Sequence, residues 1–96
     1  MKKLYTFVVD YQGGTYISQI ENESDSPYNI FKDWVKTCDF LEIISKRINR
    51  NKLIDKIEKF EKVPLPLDNL NNVWCITLIL LNKLALINII KTDRSP

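Results

Sequence analysis

The stretch Val73–Ile90 constrains this chain most. It is the longest apolar run, eighteen residues, and any fold must put it somewhere. A transmembrane helix needs about 20 consecutive apolar residues. Here Asn82 and Lys83 interrupt the middle and Asn88 follows. A charge at the bilayer centre costs about 2.5–3.5 kcal/mol even on the lenient insertion scale. The two interrupting residues instead divide the run into halves of strand length. Each half is rich in Ile and Leu, with Val, Thr and Trp included, as buried strands are. The run is therefore predicted to be a β-hairpin turning at Asn82-Lys83, with Asn82 suited to a positive φ.

A two-residue loop there pairs Leu81 with Leu84 and Ile79 with Leu86. One face then carries Trp74, Ile76, Leu78, Leu80, Ala85, Ile87 and Ile89, and is the better core. The other carries Val73, Cys75, Thr77, Ile79, Leu81, Leu84, Leu86, Asn88 and Ile90. It too is largely apolar, whereas an exposed antiparallel sheet normally alternates apolar and polar. Either the chain's own elements cover this second face or a partner does, since large exposed apolar patches mark interaction sites. Val73, Cys75, Ile79, Leu81, Leu84, Leu86 and Ile90 are the candidate interface.

A second hairpin opens the chain. Leu4–Asp10 and Thr15–Glu21 read as strands, and Gly13-Gly14 is a direct turn signal because both residues reach positive φ freely. An even-length loop places Tyr5, Phe7, Val9, Tyr11, Tyr16, Ser18 and Ile20 on one face. Thr6, Val8, Asp10, Ile17, Gln19 and Glu21 share a wetter one. The aromatic face is expected to be core rather than a platform for stacking bases.

Between the hairpins lie helices. Ser26-Pro27 supplies a cap and a proline at the first helical position. Ile30, Phe31, Trp34, Val35 and Cys38 then recur on one face, and this helix should finish by Asp39. Asp39 and Glu42 have capping-box spacing for a short second helix. Asn49 can cap a third, with Ile48 and Leu53 as a hydrophobic staple and Leu53, Ile54, Ile57 and Phe60 facing inward. A break near Ser45–Asn51 is required, because one straight helix would bury Lys46 and Arg50. Val63–Leu67, with prolines at 64 and 66, is extended. The expected fold is α+β: one domain over residues 1–96, in which two antiparallel hairpins form one four-stranded sheet. Two or three helices between them pack on one face.

Chemistry is easier to exclude than to assign. The chain has no histidine, which removes imidazole relays and most zinc catalytic sites. Its two glycines are adjacent, so no phosphate-binding or dinucleotide loop exists. Cys38 and Cys75 match no metal or redox spacing and are expected to be reduced and buried. No catalytic residue, metal ligand or cofactor is predicted, and the chain is not expected to be an enzyme. The apolar stretch after Met1-Lys2-Lys3 ends at Asp10, too short for a signal peptide, so the expected setting is a bacterial cytoplasm.

The net charge of +2 is unevenly spread. Residues 45–62 carry seven basic and three acidic groups, the most electropositive segment. Most of these charges read as a solvated helix with compensating pairs such as Asp55–Lys59 and Glu58–Lys62. Arg47, Arg50, Lys52 and Lys56 are the candidate phosphate contacts. The aromatic strand, Gly-containing turn, returning strand and helix of Tyr5–Trp34 resemble the opening of HicB-type antitoxin domains. The later part departs from that pattern, so no residue role is carried over.

The primary functional expectation is a non-enzymatic protein–protein interaction module, a homodimer or other self-associating protein joined through the C-terminal hairpin. The alternative is an antitoxin- or immunity-like, or nucleic-acid-binding, regulator that uses the basic helix. A pocket for a small apolar ligand between sheet and helices is the third. No membrane partner is expected.

Overall fold

A computed structural model describes residues 2–92. The elements run β1 (Lys3–Tyr11), β2 (Gly14–Asn22), α1 (Pro27–Thr37), α2 (Phe40–Ile44), α3 (Arg50–Lys59), β3 (Leu65–Pro66), β4 (Val73–Leu80) and β5 (Lys83–Thr92). The class is α+β, as expected. The sheet has five antiparallel strands rather than four, in the order β2-β1-β5-β4-β3. The two hairpins join through their outer members, so the first and last strands lie side by side at the centre.

The extra strand comes from the proline-rich connection. It is extended as proline demands, but it also pairs, with Leu65 opposite Cys75 and Pro66 opposite Trp74. Leu67 N–H donates to the Val73 carbonyl, anchoring it to β4. Proline is tolerated because this strand lies at the sheet's edge.

The N-terminal hairpin turns at Gln12-Gly13, both at positive φ, with Tyr11 opposite Gly14. The loop is even, so the aromatic face forms as predicted. The C-terminal hairpin turns one residue earlier than expected, at Leu81-Asn82, again with both φ positive. Leu80 thus faces Lys83, and Ile79 faces Leu84 rather than Leu86. Moving the loop by one residue slides each pair by two, which preserves the faces. It also takes Lys83 out of the turn and lets Asn82 occupy its second position.

One face of the sheet and the three helices enclose the core. Phe7, Val9, Ile76, Leu78, Ile87 and Ile89 from the strands meet Ile30, Phe31, Trp34, Leu41 and Ile57 from the helices, all buried. Trp34 is central. Its ring stacks on Phe7 with centroids 4.8 Å apart and planes 1° from parallel, and Phe31 and Phe40 lie beside it. Its indole N–H donates to Ser18 Oγ at 3.0 Å, so the largest side chain is buried with its polar atom satisfied. Tyr11 Oη donates to the Leu80 carbonyl at 2.7 Å, tying the two hairpins together. These aromatics are core.

Ser26 caps α1, its hydroxyl accepting from Asn29 N–H, and Asn49 caps α3, accepting from Lys52 N–H. The break at residues 45–49 falls where expected. Two local expectations are corrected. Asp39 makes no side-chain cap on α2, because its backbone is already helical rather than extended as a cap residue's is, and Glu42 pairs with Arg50. Phe60 is exposed, since α3 ends at Lys59 and the following backbone turns away from the core, with Glu61 at positive φ. Among the described residues, no helix is long and apolar enough to cross a membrane.

Candidate interaction surface

All three helices lie on one face of the sheet. Strand residues of opposite parity point to the other face, and the register fixes how they are laid out. One row across the sheet reads Ile17, Val8, Asn88, Cys75, Leu65. The next, toward the hairpin turns, reads Thr15, Asp10, Leu86, Thr77, and beyond it Leu84 faces Ile79. On the other side lies the row Gln19, Thr6, Ile90, Val73. Large side chains stand open to water: Ile17 is 69% exposed, Leu65 68%, Ile79 62% and Leu84 58%.

Polar groups on the β1–β2 side of this face are partnered there, while Thr77 and Asn88 lie in the β4–β5 part. Thr15 Oγ1 donates to Asp10 Oδ1 at 2.8 Å, and Gln19 Nε2 donates to Thr6 Oγ1 at 3.0 Å. The carboxylates on the face are Asp10 and, at the end of β2, Glu21. The part built from β4 and β5 is uncharged. Lengths of eight to ten residues over the four long strands give a projected face of about 550 Å² before side-chain relief is added. That approaches the roughly 800 Å² per partner of a specific interface.

The candidate interface residues divide as follows. Ile79, Leu84 and Leu86 lie exposed on this face, and Val73, Cys75 and Ile90 lie on it half-buried. Leu81 does not share the face: it occupies the turn and lines a cleft instead. Cys75, expected in the interior, is on the open face, while Cys38 is buried as expected; both are free thiols. Burial pushes the Cys38 thiol's pKa up. Ile17, Val8 and Leu65 complete the patch. In the sequence Val8 and Ile17 share a face with polar residues and Leu65 sits in the proline-rich connection, so none belongs to the long apolar run. The strand order is what gathers them.

The four basic candidates also divide. Arg47, Lys52 and Lys56 line a cleft of about 290 Å³ together with Asn49, Ile79 and Leu81. Arg50 is used elsewhere. Its guanidinium donates to the carbonyls of Val35 (2.9 Å) and Cys38 (2.7 Å) at the C-terminal end of α1, and pairs with Glu42 at 3.3 Å. The compensating pairs differ from expectation as well. Glu58 meets Lys32 of α1 at 3.7 Å, and Lys62 Nζ donates to the Thr77 carbonyl at 2.6 Å.

Compared with known proteins, the chain matches no family model, no curated sequence and no solved structure.

Proposed function

We propose that this protein is a non-enzymatic interaction module that self-associates by packing the uncovered faces of two sheets together. The observation that carries the reading is the helix-free face, where Ile17, Leu65, Ile79 and Leu84 stand exposed and the part built from β4 and β5 carries no charge. A two-fold interface sets each patch against itself, so like charges at its middle would repel. Here none are present between β4 and β5, and Thr77 and Asn88 can hydrogen-bond across. Sheets pack face to face at about 10 Å with interdigitating aliphatic side chains, which suits Ile and Leu at these positions.

Light scattering on the full chain tests the reading. The expected mass is a multiple of 11.3 kDa that halves in Ile79→Lys or Leu84→Glu. Phe60→Lys, an equally exposed position on the helical side, should leave the mass unchanged. A monomer at millimolar concentration, or a mass that Ile79→Lys does not alter, overturns it. Salt-sensitive retention on heparin that Arg47→Ala and Lys52→Ala abolish would instead favour the nucleic-acid-binding alternative.

A further inference from the structure

We infer that the outer edge of β2 pairs with the same edge of a second copy, joining two five-stranded sheets into one of ten strands. This goes beyond the face packing above and uses different atoms, the backbone groups at the side of the sheet. In a two-residue hairpin the pair flanking the turn exchanges hydrogen bonds, and here that pair is Tyr11 and Gly14. Alternation then directs the backbone of Gly14, Tyr16, Ser18 and Ile20 toward β1. Thr15, Ile17 and Gln19 present their N–H and C=O groups outward. Among the described residues, no turn, loop or cap backbone hydrogen bond reaches these three.

The two edges of the sheet are treated differently. At the far side, β3 covers β4 only at Trp74 and Cys75, and the edge beyond is blocked by Lys62 bonding the Thr77 carbonyl. Prolines 64 and 66 remove donors from that side. A short strand, prolines and a lysine are recognised guards against edge-to-edge pairing. The nine residues of β2 contain no proline, lysine or arginine.

The edge is also self-complementary, which commits it to a second copy. Antiparallel pairing about a two-fold at Ile17 sets Ile17 against its own counterpart and Thr15 against Gln19 of the other chain. The three pairs are uncharged and supply about six backbone hydrogen bonds. The axis stands perpendicular to the sheet, so both helix-free faces emerge on the same side. The Ile17–Val8 patches of the two copies then meet across the seam, adding apolar contact to the backbone ladder.

Amide hydrogen exchange by NMR tests this, in the Ile79→Lys background so that face packing is removed. At the highest concentration the Thr15, Ile17 and Gln19 amides should exchange at least about tenfold more slowly than in an unstructured peptide, with a dimer mass. Gln19→Pro deletes one outward N–H and leaves the β1 ladder intact, so it should halve that mass without altering the buried Trp34 environment. Unprotected exchange at these three amides at the highest concentration overturns the proposal. Protection in a species of monomer mass overturns it too. Failure of face packing alone would show as an unchanged mass on Ile79→Lys with these amides still protected.

Discussion

Arg50 shows what a single residue can do that its charge does not announce. It stands in the first turn of α3, yet its planar fork satisfies carbonyls at the end of α1. It thus locks α1 to α3 across the connection that carries α2. Lysine keeps the charge but not the fork. Arg50→Lys should therefore lower the unfolding free energy by about 1.5–3 kcal/mol in urea titration, whereas Arg47→Lys should be close to neutral. Counting basic residues in the sequence grouped Arg50 with Arg47, because charge composition carries no information about where a guanidinium ends. Two other residues fix a pH dependence. Burial raises the pKa of the Cys38 thiol, and burial followed by the nearby Asp25 carboxylate raises that of the Tyr5 phenol. Both groups hold their protons more tightly when folded. Their contribution is fully present below the ordinary thiol range of about 8.5 and is lost as pH climbs through the raised values. Thermal unfolding should show stability falling above about pH 8.5, with a shallower fall in Cys38→Ala. Iodoacetamide should label half-exposed Cys75 well before Cys38.

At the scale of elements, the hairpin turns are the informative features. Both use two residues at positive φ, the geometry that matches strand twist. Gly13 meets this at no cost, and Gly13→Ala should destabilise by about 1–2 kcal/mol although no atom lies within 4 Å of the added methyl. Leu81 at φ 52° is ill suited to its place. Leu81→Asn should raise the denaturant midpoint, by about 1 kcal/mol in free energy. The same geometry explains why the sequence was legible in one respect and not another. Alternation assigned the faces of β4 and β5 correctly even with the loop misplaced by a residue, since that error leaves parity unchanged. Caps at Ser26 and Asn49 were readable because each competes with nothing. The capping box of Asp39 and Glu42 failed because Asp39 takes a helical backbone, which spacing alone does not reveal, while Glu42 pairs with Arg50. The fifth strand was readable as extended but not as paired, because pairing depends on which way the Val73 carbonyl points.

At the scale of the molecule, the helices form a single layer, and that decides the surface. Three short helices contain too little chain to cover both sides of a five-stranded sheet. The apolar excess seen in Val73–Ile90 therefore reaches the open face, reinforced by Ile17 from the other hairpin. The sequence shows the excess but not the reinforcement, which requires β1 to lie against β5. Strand order is the least readable quantity, since each hairpin satisfies itself locally and nothing local selects its neighbour. That central neighbour has a consequence for how the protein comes into being. Residues 83–92 are translated after every other strand and yet fill the middle of the architecture, with Leu4 opposite Thr92. A nascent chain lacking them has two separated fragments of sheet and no shared interior, so the sheet must wait, unfinished, until β5 emerges. Nonlocal closure of this kind is slow and exposes sticky intermediates. Because β1 lies against β5, a circular permutant that joins β5 to β1 and opens between β2 and α1 would make every strand pairing one between successive strands, and should refold faster in stopped-flow measurements.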